Sequence, residues 1–150
     1  MSPASGKTLE VFVPGVFVGK GRPRLGRAGH VYTPAKTIAQ ERTIGWAAKE
    51  AIAKMDGAWS LTGPMQLRAW FILPIPASWS KKRKAAPGPH TSRPDTDNLL
   101  KLALDSCNGI LWEDDAQLVI ISVGKGYGEQ PGLKLKVRHD VQALGKEGKR

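Results

Sequence analysis

The chain has 150 residues, of which 41% are apolar and 24% charged, which is enough for one domain core and too few for two. Its 23 Lys and Arg against 13 Asp and Glu give a formal net charge of +10, which favours a polyanionic partner, most commonly nucleic acid. The single cysteine, Cys107, excludes an internal disulfide, and no apolar run is long enough for a membrane span or a secretory signal. We therefore expect a cytoplasmic protein; the alternative explanation of the charge is a protein that is merely basic.

The first third of the sequence predicts a strand, a loop and a long helix. Residues 9–18 are rich in β-branched and aromatic side chains and predict a strand that is interrupted at its Pro-Gly pair. A Gly- and Arg-rich loop follows. Thr33 is a predicted N-cap with Pro34 at the first helical position, and apolar residues recur at helical spacing from about 35 to 55.

The middle of the sequence predicts a strand, a loop and a second helix. Residues 65–73 predict the strand, and residues 74–94, rich in Pro, Ser, Gly and basic side chains, predict a long exposed loop. Pro94 favours extended backbone before it, and a helix is predicted from about residue 97 to the Asn108-Gly109 pair, which favours a helix end. The predicted buried stripe of this helix consists of Leu100, Ala103, Leu104 and Cys107.

Two further strands complete the predicted fold. Residues 117–123 predict a central strand, and residues 133–139 alternate between apolar and basic side chains. The inward residues are Leu133, Leu135 and Val137, and the outward ones are Lys134, Lys136 and Arg138. The order β-(β)-α-β-α-β-β predicts an α+β fold, a single domain over residues 1–150 with a mixed sheet and the helices on one side of it. We expect flexible tails at residues 1–8 and 141–150.

Acidic residues are concentrated in one short segment. Six of the 13 fall between residues 95 and 115, where Lys101 is the only base. They are Asp95, Asp97, Asp105, Glu113, Asp114 and Asp115. Asp95 and Asp97 are two apart on a predicted extended segment, so both carboxylates point to the same side, toward the start of a helix. Gathering such carboxylates is unfavourable unless a hard cation such as Mg²⁺ binds their oxygens.

The acidic segment has two interpretations. A divalent cation held by these carboxylates beside DNA phosphates can activate a water molecule for phosphodiester cleavage. Alternatively, Asp97, Lys101 and Asp105 form a ladder of i,i+4 ion pairs on a solvated helix face. The concentration of acids in so basic a chain, and the second acidic pair at residues 114–115, favour the metal site.

The stretch "RPDTDNLLKLALDSCNGILWEDDAQLV" resembles the signature of the RusA-type Holliday-junction resolvases, with the pattern D-x-D-N-L-x-K, a helix, a short apolar run and D-D-x-Q-V. The upstream "VGKGRPRLGRAGHVYTP" is also similar to the N-terminal portion of family members. The resemblance implies a homodimeric, Mg²⁺-dependent endonuclease of bacteria or phages, with Mn²⁺ as a substitute, that resolves four-way DNA junctions by paired nicking in recombination and repair. It places the catalytic acids on Asp95, Asp97 and Asp115, with Asp114 as an alternative metal ligand. It places the essential lysine on Lys101, which would act on the scissile phosphate or on the attacking water.

Two basic clusters predict contacts with the DNA backbone. They comprise Lys20, Arg22, Arg24 and Arg27 in the Gly-rich loop, and Lys81, Lys82, Arg83 and Lys84 in the 74–94 loop. The exposed bases of the 133–139 strand either contact DNA or protect an edge strand. Trp112 and Tyr127 either stack on unpaired bases or, as we favour, pack in the core or at an interface. The three histidines lack zinc-ligand spacing and the Gly-rich loop lacks P-loop spacing, so neither zinc nor a nucleotide cofactor is predicted.

Two other functions remain possible from the residues themselves. One is a non-catalytic basic protein that binds nucleic acid, and the other is a Mg²⁺ nuclease that acts on other branched DNA or on RNA. For a resolvase, the two-fold symmetry of a four-way junction favours a C2 homodimer. Its interface is predicted near Trp112 and the strands that flank the acidic helix.

Overall fold

The computed structural model describes residues 7–21, 24–26, 29, 31–32 and 34–139. Its helices are α1 (Ala35–Lys54), α2 (Lys81–Ala85) and α3 (Thr96–Cys107), and a 3-10 turn spans Asp115–Gln117. Its strands are β1 (Thr8–Pro14), β2 (Arg24–Leu25), β3 (Val31–Tyr32), β4 (Met65–Pro74), β5 (Leu118–Gly128) and β6 (Gly132–His139). None of the described helices is both long and apolar enough to cross a membrane.

Four strands form a mixed sheet in the order β1-β6-β4-β5, and β2 pairs with β3 in a separate ribbon. β1 and β4 run antiparallel to β6. β5 runs parallel to β4, which requires a crossover connection, and α3 lies in that connection. The predicted α+β fold with a mixed sheet is confirmed.

Two strand positions differ from the prediction. β5, predicted as a central strand, is an edge strand, because the crossover through α3 returns the chain to the outer side of β4. β6 lies between β1 and β4, so its exposed Lys134 and Lys136 do not protect a sheet edge. Its predicted alternation is confirmed, since Leu133, Leu135 and Val137 are all buried.

The core lies between one face of the sheet and the helices α1 and α3, which also pack against each other. Leu67 and Phe71 of β4 and Leu135 of β6 are at most 2% exposed. Ile44 of α1 and Leu102 of α3 face this layer and are fully buried. Burying a side chain of this size contributes about 1.5–3 kcal/mol, so the layer holds α3 firmly against the sheet.

Both long helices begin close to their predicted positions. α1 begins at Ala35, but Pro34 occupies the N-cap position and not the first helical position, and its carbonyl accepts the amide of Thr37 at 3.0 Å. Thr33, the predicted cap, lies outside the described residues. α3 ends with Asn108 as its C-cap, as predicted.

The buried stripe of α3 is rotated relative to the prediction, because the helix packs against α1 as well as against the sheet. Leu100 and Leu104, predicted as core residues, are only partly buried. The buried residues are Leu99, Leu102, Ala103, Ser106 and Cys107.

Candidate active site

Asp95 and Asp97 lie at the start of α3. Asp95 occupies the N-cap position with extended backbone (φ −71°, ψ 144°), and its carbonyl accepts the amide of Leu99 at 3.1 Å. Its carboxylate makes no capping hydrogen bond, and Asp97 is an exposed residue of the first turn. The positive end of the helix dipole stabilises carboxylates at both positions. This end of the helix therefore presents two exposed acidic groups to a ligand.

Lys101 lies one helical turn after Asp97 and is exposed. Its ammonium forms no ion pair with any described carboxylate, because the ion pairs of the described residues join other groups. The ladder of ion pairs through Asp97, Lys101 and Asp105 is therefore not formed there, and Asp105 is engaged by Lys20 instead. Lys101 presents an unpaired positive charge on the same helix as the two carboxylates.

Lys20, predicted as a DNA contact, is tied to α3. Its ammonium donates to the carboxylate of Asp105, and its amide donates to the carbonyl of Asn98 at 3.3 Å. The hydrogen bond with Asp105 raises the pKa of Lys20, against the opposing effect of burial. On the other side, the Gln40 side chain of α1 donates to the Gly19 carbonyl at 3.1 Å. Residues 19 and 20 of this loop are therefore anchored on both long helices.

Gln117 fastens the second acidic pair to a distant part of the chain. Its Oε1 accepts the amides of Glu113 and Asp114 at 2.9 and 3.0 Å. Its Nε2 donates to the carbonyls of Leu61 and Gly63 at 2.8 and 2.9 Å. All four hydrogen bonds of this side chain are thus used to fix the turn before β5, which accounts for a glutamine in the D-D-x-Q pattern.

Asp114 and Asp115 differ in their surroundings. Asp114 is exposed, and its Oδ1 caps the 3-10 turn by accepting the amide of Ala116 at 3.2 Å. Asp115 is partly buried, and burial is the main reason that the pKa of its carboxyl is raised. A hydrogen bond with Asp114 and the negative charges of Asp114 and Asp105 raise this pKa further. Asp114 is therefore committed to the turn, whereas Asp115 lies in a negative environment that a cation would relieve.

The acids occupy both ends of α3. Asp97 and Asp105 are eight residues apart, or about 12 Å along the helix axis. Asp105 lies in the neighbourhood of Asp115, at the end opposite to Asp95. Among the residues that the structure describes, no group of three or more His, Cys, Asp or Glu is placed to hold one metal ion. The carboxylate oxygens suit a hard divalent cation, but Asp95, Asp97 and Asp115 are not gathered into one group.

The basic residues 81–84 lie on α2, and all four are exposed. Ser80 caps this short helix by accepting the amide of Arg83 at 3.2 Å. The guanidinium carbon of Arg83 lies 3.6 Å from the ring centre of Trp79, and Trp79 packs on Tyr127 with ring centroids 5.0 Å apart. The predicted loop therefore has a structured basic face, which an aromatic contact joins to β5.

Trp112 is fully buried in the core, and its Nε1 donates to Oδ1 of Asn108 at 2.6 Å. Its predicted packing role is confirmed, and it exposes no surface to an unpaired base. The expectation that the dimer interface lies near Trp112 and the strands that flank the acidic helix stays a prediction.

Sequence reasoning missed Lys125 of β5. Its ammonium donates to the carbonyls of Ser92 and Pro94, at 2.6 and 2.8 Å, in the segment that leads into Asp95. The available signal was a lysine on the inward side of a strand, but which side of β5 faces the helices follows only from its pairing with β4.

Several predicted DNA contacts lie outside the described part of the chain. Arg22 and Arg27 are not described, and of Arg24 only the backbone is, in β2. Their assignment remains a prediction from the sequence.

Comparison with known proteins decides between the catalytic and non-catalytic hypotheses. The model of the family described as endodeoxyribonuclease RusA matches residues 14–138, a range that contains α3, the 3-10 turn and both acidic pairs. The chain is also 33% identical over 139 residues to a protein of Bacillus subtilis (strain 168) named "Uncharacterized protein YqaN". The aligned region covers 87% of this chain and 95% of that relative. The chain therefore belongs to the RusA endodeoxyribonuclease family, and is a DNA-hydrolysing enzyme of the kind that resolves Holliday junctions.

Proposed function

We propose that this protein is a Mg²⁺-dependent endonuclease that resolves four-way DNA junctions by paired nicking during recombination and repair. The observation that carries the proposal is the exposed pair Asp95 and Asp97 at the start of α3, in a chain of net charge +10. Exposed carboxylates repel DNA, and a hard cation between them and a phosphate reverses that effect. Enzymes of this family generally depend on a divalent metal, and carboxylate oxygens suit Mg²⁺ and Mn²⁺.

The proposed roles follow from the surroundings of each side chain. Asp95 and Asp97 would hold the cation. The family pattern also assigns Asp115 to it, and because Asp115 lies toward the other end of α3, its carboxylate would have to approach the other two when the cation binds. Asp114, which caps the 3-10 turn, is the weaker candidate. A bound divalent cation lowers the pKa of the attacking water and stabilises the leaving oxygen. Lys101, unpaired among the described residues, would neutralise the scissile phosphate or orient the water.

The DNA backbone would lie along the basic clusters. Trp79, which precedes α2, and His90, in the segment that leads into Asp95, both pack on Tyr127, so a phosphate bound by α2 would lie on the same side of β5 as the entrance to α3. We propose contacts from Lys81, Lys82, Arg83 and Lys84, together with Arg22, Arg24 and Arg27. Lys20 would contribute less, because its ammonium is already paired with Asp105.

We also propose that the enzyme is a homodimer, because two opposed strands must be nicked to resolve a two-fold symmetric junction. The face of the sheet away from the helices supports this assembly. Phe12 and Trp70 are 39% and 46% exposed there, and lie in one cross-strand row with Lys134 and Gly124. Large exposed apolar side chains on an open sheet face mark sites of association.

The neighbouring row on the same face carries both signs of charge. Glu10 of β1 lies beside Lys136 of β6, which lies beside Arg68 of β4. In a two-fold symmetric dimer, the same row of the second copy would run in the opposite direction. The acid of each copy would then face the bases of the other. We therefore propose this face as the dimer interface.

The proposed function is tested with a panel of synthetic DNAs of matched sequence: a four-way junction, a three-way junction, a flap, a fork and a duplex, with an RNA duplex added. We expect symmetric paired nicks in the four-way junction with Mg²⁺, and neither nicks in the duplex nor any without a divalent cation. Asp97→Asn is the catalytic control. Equal cleavage of every substrate would indicate a general metal nuclease, and binding without cleavage by the wild-type protein would overturn the enzymatic proposal.

A further inference from the structure

β5 holds the segment that leads into the acidic pair. The Nζ of Lys125 donates to the carbonyl of Ser92 at 2.6 Å and to that of Pro94 at 2.8 Å. The second carbonyl belongs to the peptide group that joins Pro94 to Asp95. Lys125 therefore fixes the orientation of the peptide group that directly precedes α3. Hydrogen bonds from a charged donor are about twice as strong as neutral ones, and two converge here on one ammonium.

The same segment has few other restraints. No backbone–backbone hydrogen bond among the described residues involves residues 87–94, and the helical pattern starts with the carbonyl of Asp95. The ring of His90 packs on Tyr127 with centroids 4.6 Å apart. Since Tyr127 and Lys125 are two apart on one strand, β5 anchors the segment at two points along the same side.

The position of Lys125 in the sheet explains why its ammonium is used in this way. Lys125 pairs in register with Phe71 of β4, which is fully buried beneath the helices. A lysine on this side of the sheet is unfavourable unless its ammonium is hydrogen-bonded. Its acceptors are two backbone carbonyls and not a carboxylate, so the contact fixes a loop without neutralising an acid.

We propose that Lys125 is a positioning residue of the active site. By holding the backbone before α3, it sets the place of the Asp95 carboxylate relative to Asp97 and Lys101, which the helix itself positions. The inference rests on the proposed function, because it takes those carboxylates as metal ligands. In this role Lys125 acts through the loop and touches neither the DNA nor the reacting atoms, since two carbonyls occupy its ammonium.

The first test compares four variants in junction nicking. Lys125→Met removes the ammonium at similar length, Lys125→Arg keeps charged donors, and Lys125→Gln keeps a shorter neutral donor. Lys49→Met is the matched control, because Lys49 is an exposed lysine of α1. We expect Lys125→Met to lower kcat and to raise the Mg²⁺ concentration for half-maximal nicking, each by about 10- to 100-fold, with little change in KM. Lys125→Arg should recover most of the loss, and Lys49→Met should match the wild type.

The second test measures metal binding and local order without turnover. Mn²⁺ is titrated calorimetrically into the DNA-free protein, and amide hydrogen exchange is followed over residues 90–97. We expect Lys125→Met to weaken Mn²⁺ binding and to accelerate exchange within this segment only. Lys49→Met should change neither.

The outcomes separate this inference from the proposed function. If Asp95→Asn and Asp97→Asn abolish nicking while Lys125→Met keeps the wild-type kcat, Mg²⁺ requirement and exchange, the positioning role is wrong and the proposed function stands. If both Asp→Asn variants nick normally, the proposed site fails and the positioning role fails with it. Should Lys125→Met not fold, Lys125→Gln takes its place with smaller effects of the same kind, and wild-type behaviour of that variant overturns the inference.

Discussion

Lys20 and Asp105 form an ion pair that joins the Gly-rich loop to α3 across 85 positions of the sequence. The two side chains are 33% and 35% exposed, so water weakens their attraction. In urea unfolding, a double-mutant cycle of Lys20→Met and Asp105→Asn should therefore give a coupling free energy below about 1 kcal/mol. A coupling several times larger would mean that the pair holds the loop more tightly than its exposure predicts.

Asp95→Asn, Asp97→Asn and Asp115→Asn should each abolish nicking in Mg²⁺ and leave junction binding intact or tighter. Each removes a proposed metal ligand together with a negative charge beside phosphate. Asp114→Asn should be milder, because asparagine is still able to accept the amide of Ala116 in the 3-10 turn. Nicking with Mg²⁺ and gel-shift binding without it measure the two properties, and near-wild-type nicking by Asp97→Asn would contradict the site.

Lys101→Ala should lower kcat by about two or more orders of magnitude, the effect of losing one preorganised charge at a phosphoryl-transfer site. Junction affinity should change little, because several other basic residues are exposed. Single-turnover nicking at saturating protein measures the chemical step apart from binding, with Lys49→Ala as the control. Weak binding with a normal rate at saturation would reassign Lys101 to DNA binding.

His139 should make the free energy of unfolding depend on pH. Its ring lies 4.3 Å from that of Trp59, centroid to centroid, and its Nε2 has no hydrogen-bond partner among the described residues. Burial lowers the pKa of this imidazole, its hydrogen bond to the backbone of Ser60 opposes the shift, and the positive charge of Lys7 adds to it. The unfolded chain, with a histidine pKa near 6.5, therefore binds the proton more readily than the folded chain.

The contribution of His139 to the free energy of unfolding is complete above about pH 6.5. It is lost as the pH falls from there through the folded-state pKa of the imidazole. His139→Phe should flatten this part of the profile, as measured by urea unfolding between about pH 5 and pH 8. An identical slope for the wild type and the variant would show that His139 is not the titrating group.

Trp70→Glu should convert the proposed dimer into a monomer, because it places a charge in the middle of the open sheet face. Light scattering at micromolar concentration should give twice 16.2 kDa for the wild type and 16.2 kDa for the variant. Trp46→Glu is the control, since Trp46 is 66% exposed on α1, away from that face. A wild-type monomer that releases only nicked circles from a cruciform plasmid would contradict the homodimer.

The parts of the fold that could be predicted depend on local patterns. The 3.6-residue spacing of apolar side chains located α1, and the alternation of Leu133, Leu135 and Val137 located β6. The edge position of β5 could not be predicted, because the next strand, β6, pairs with the other side of β4 and not with β5. The rotated buried stripe of α3 likewise depends on a contact with α1.

The candidate site also has a part that could be predicted from local patterns and a part that could not. The positions of Asp95 and Asp97 follow from a local signal, the start of a helix after Pro94. The bond from Lys20 to Asp105 and the bond from Lys125 to Pro94 join residues 85 and 31 positions apart. No periodicity in the sequence announces such pairs, because they arise only when the loop, α3 and β5 have packed together.

The ring of Trp70 lies across β5, where a Cβ on Gly124 would stand 2.4 Å from a ring carbon and a Cβ on Gly126 would stand 2.8 Å from another. These positions therefore have no room for a side chain while residue 70 is an indole. Gly124→Ala should be poorly tolerated alone and better tolerated together with Trp70→Ala, although both positions lie on the open face of the sheet. In a library of random variants selected for folding, alanine at position 124 should appear with a smaller residue at position 70, so that the two strands change as a linked pair.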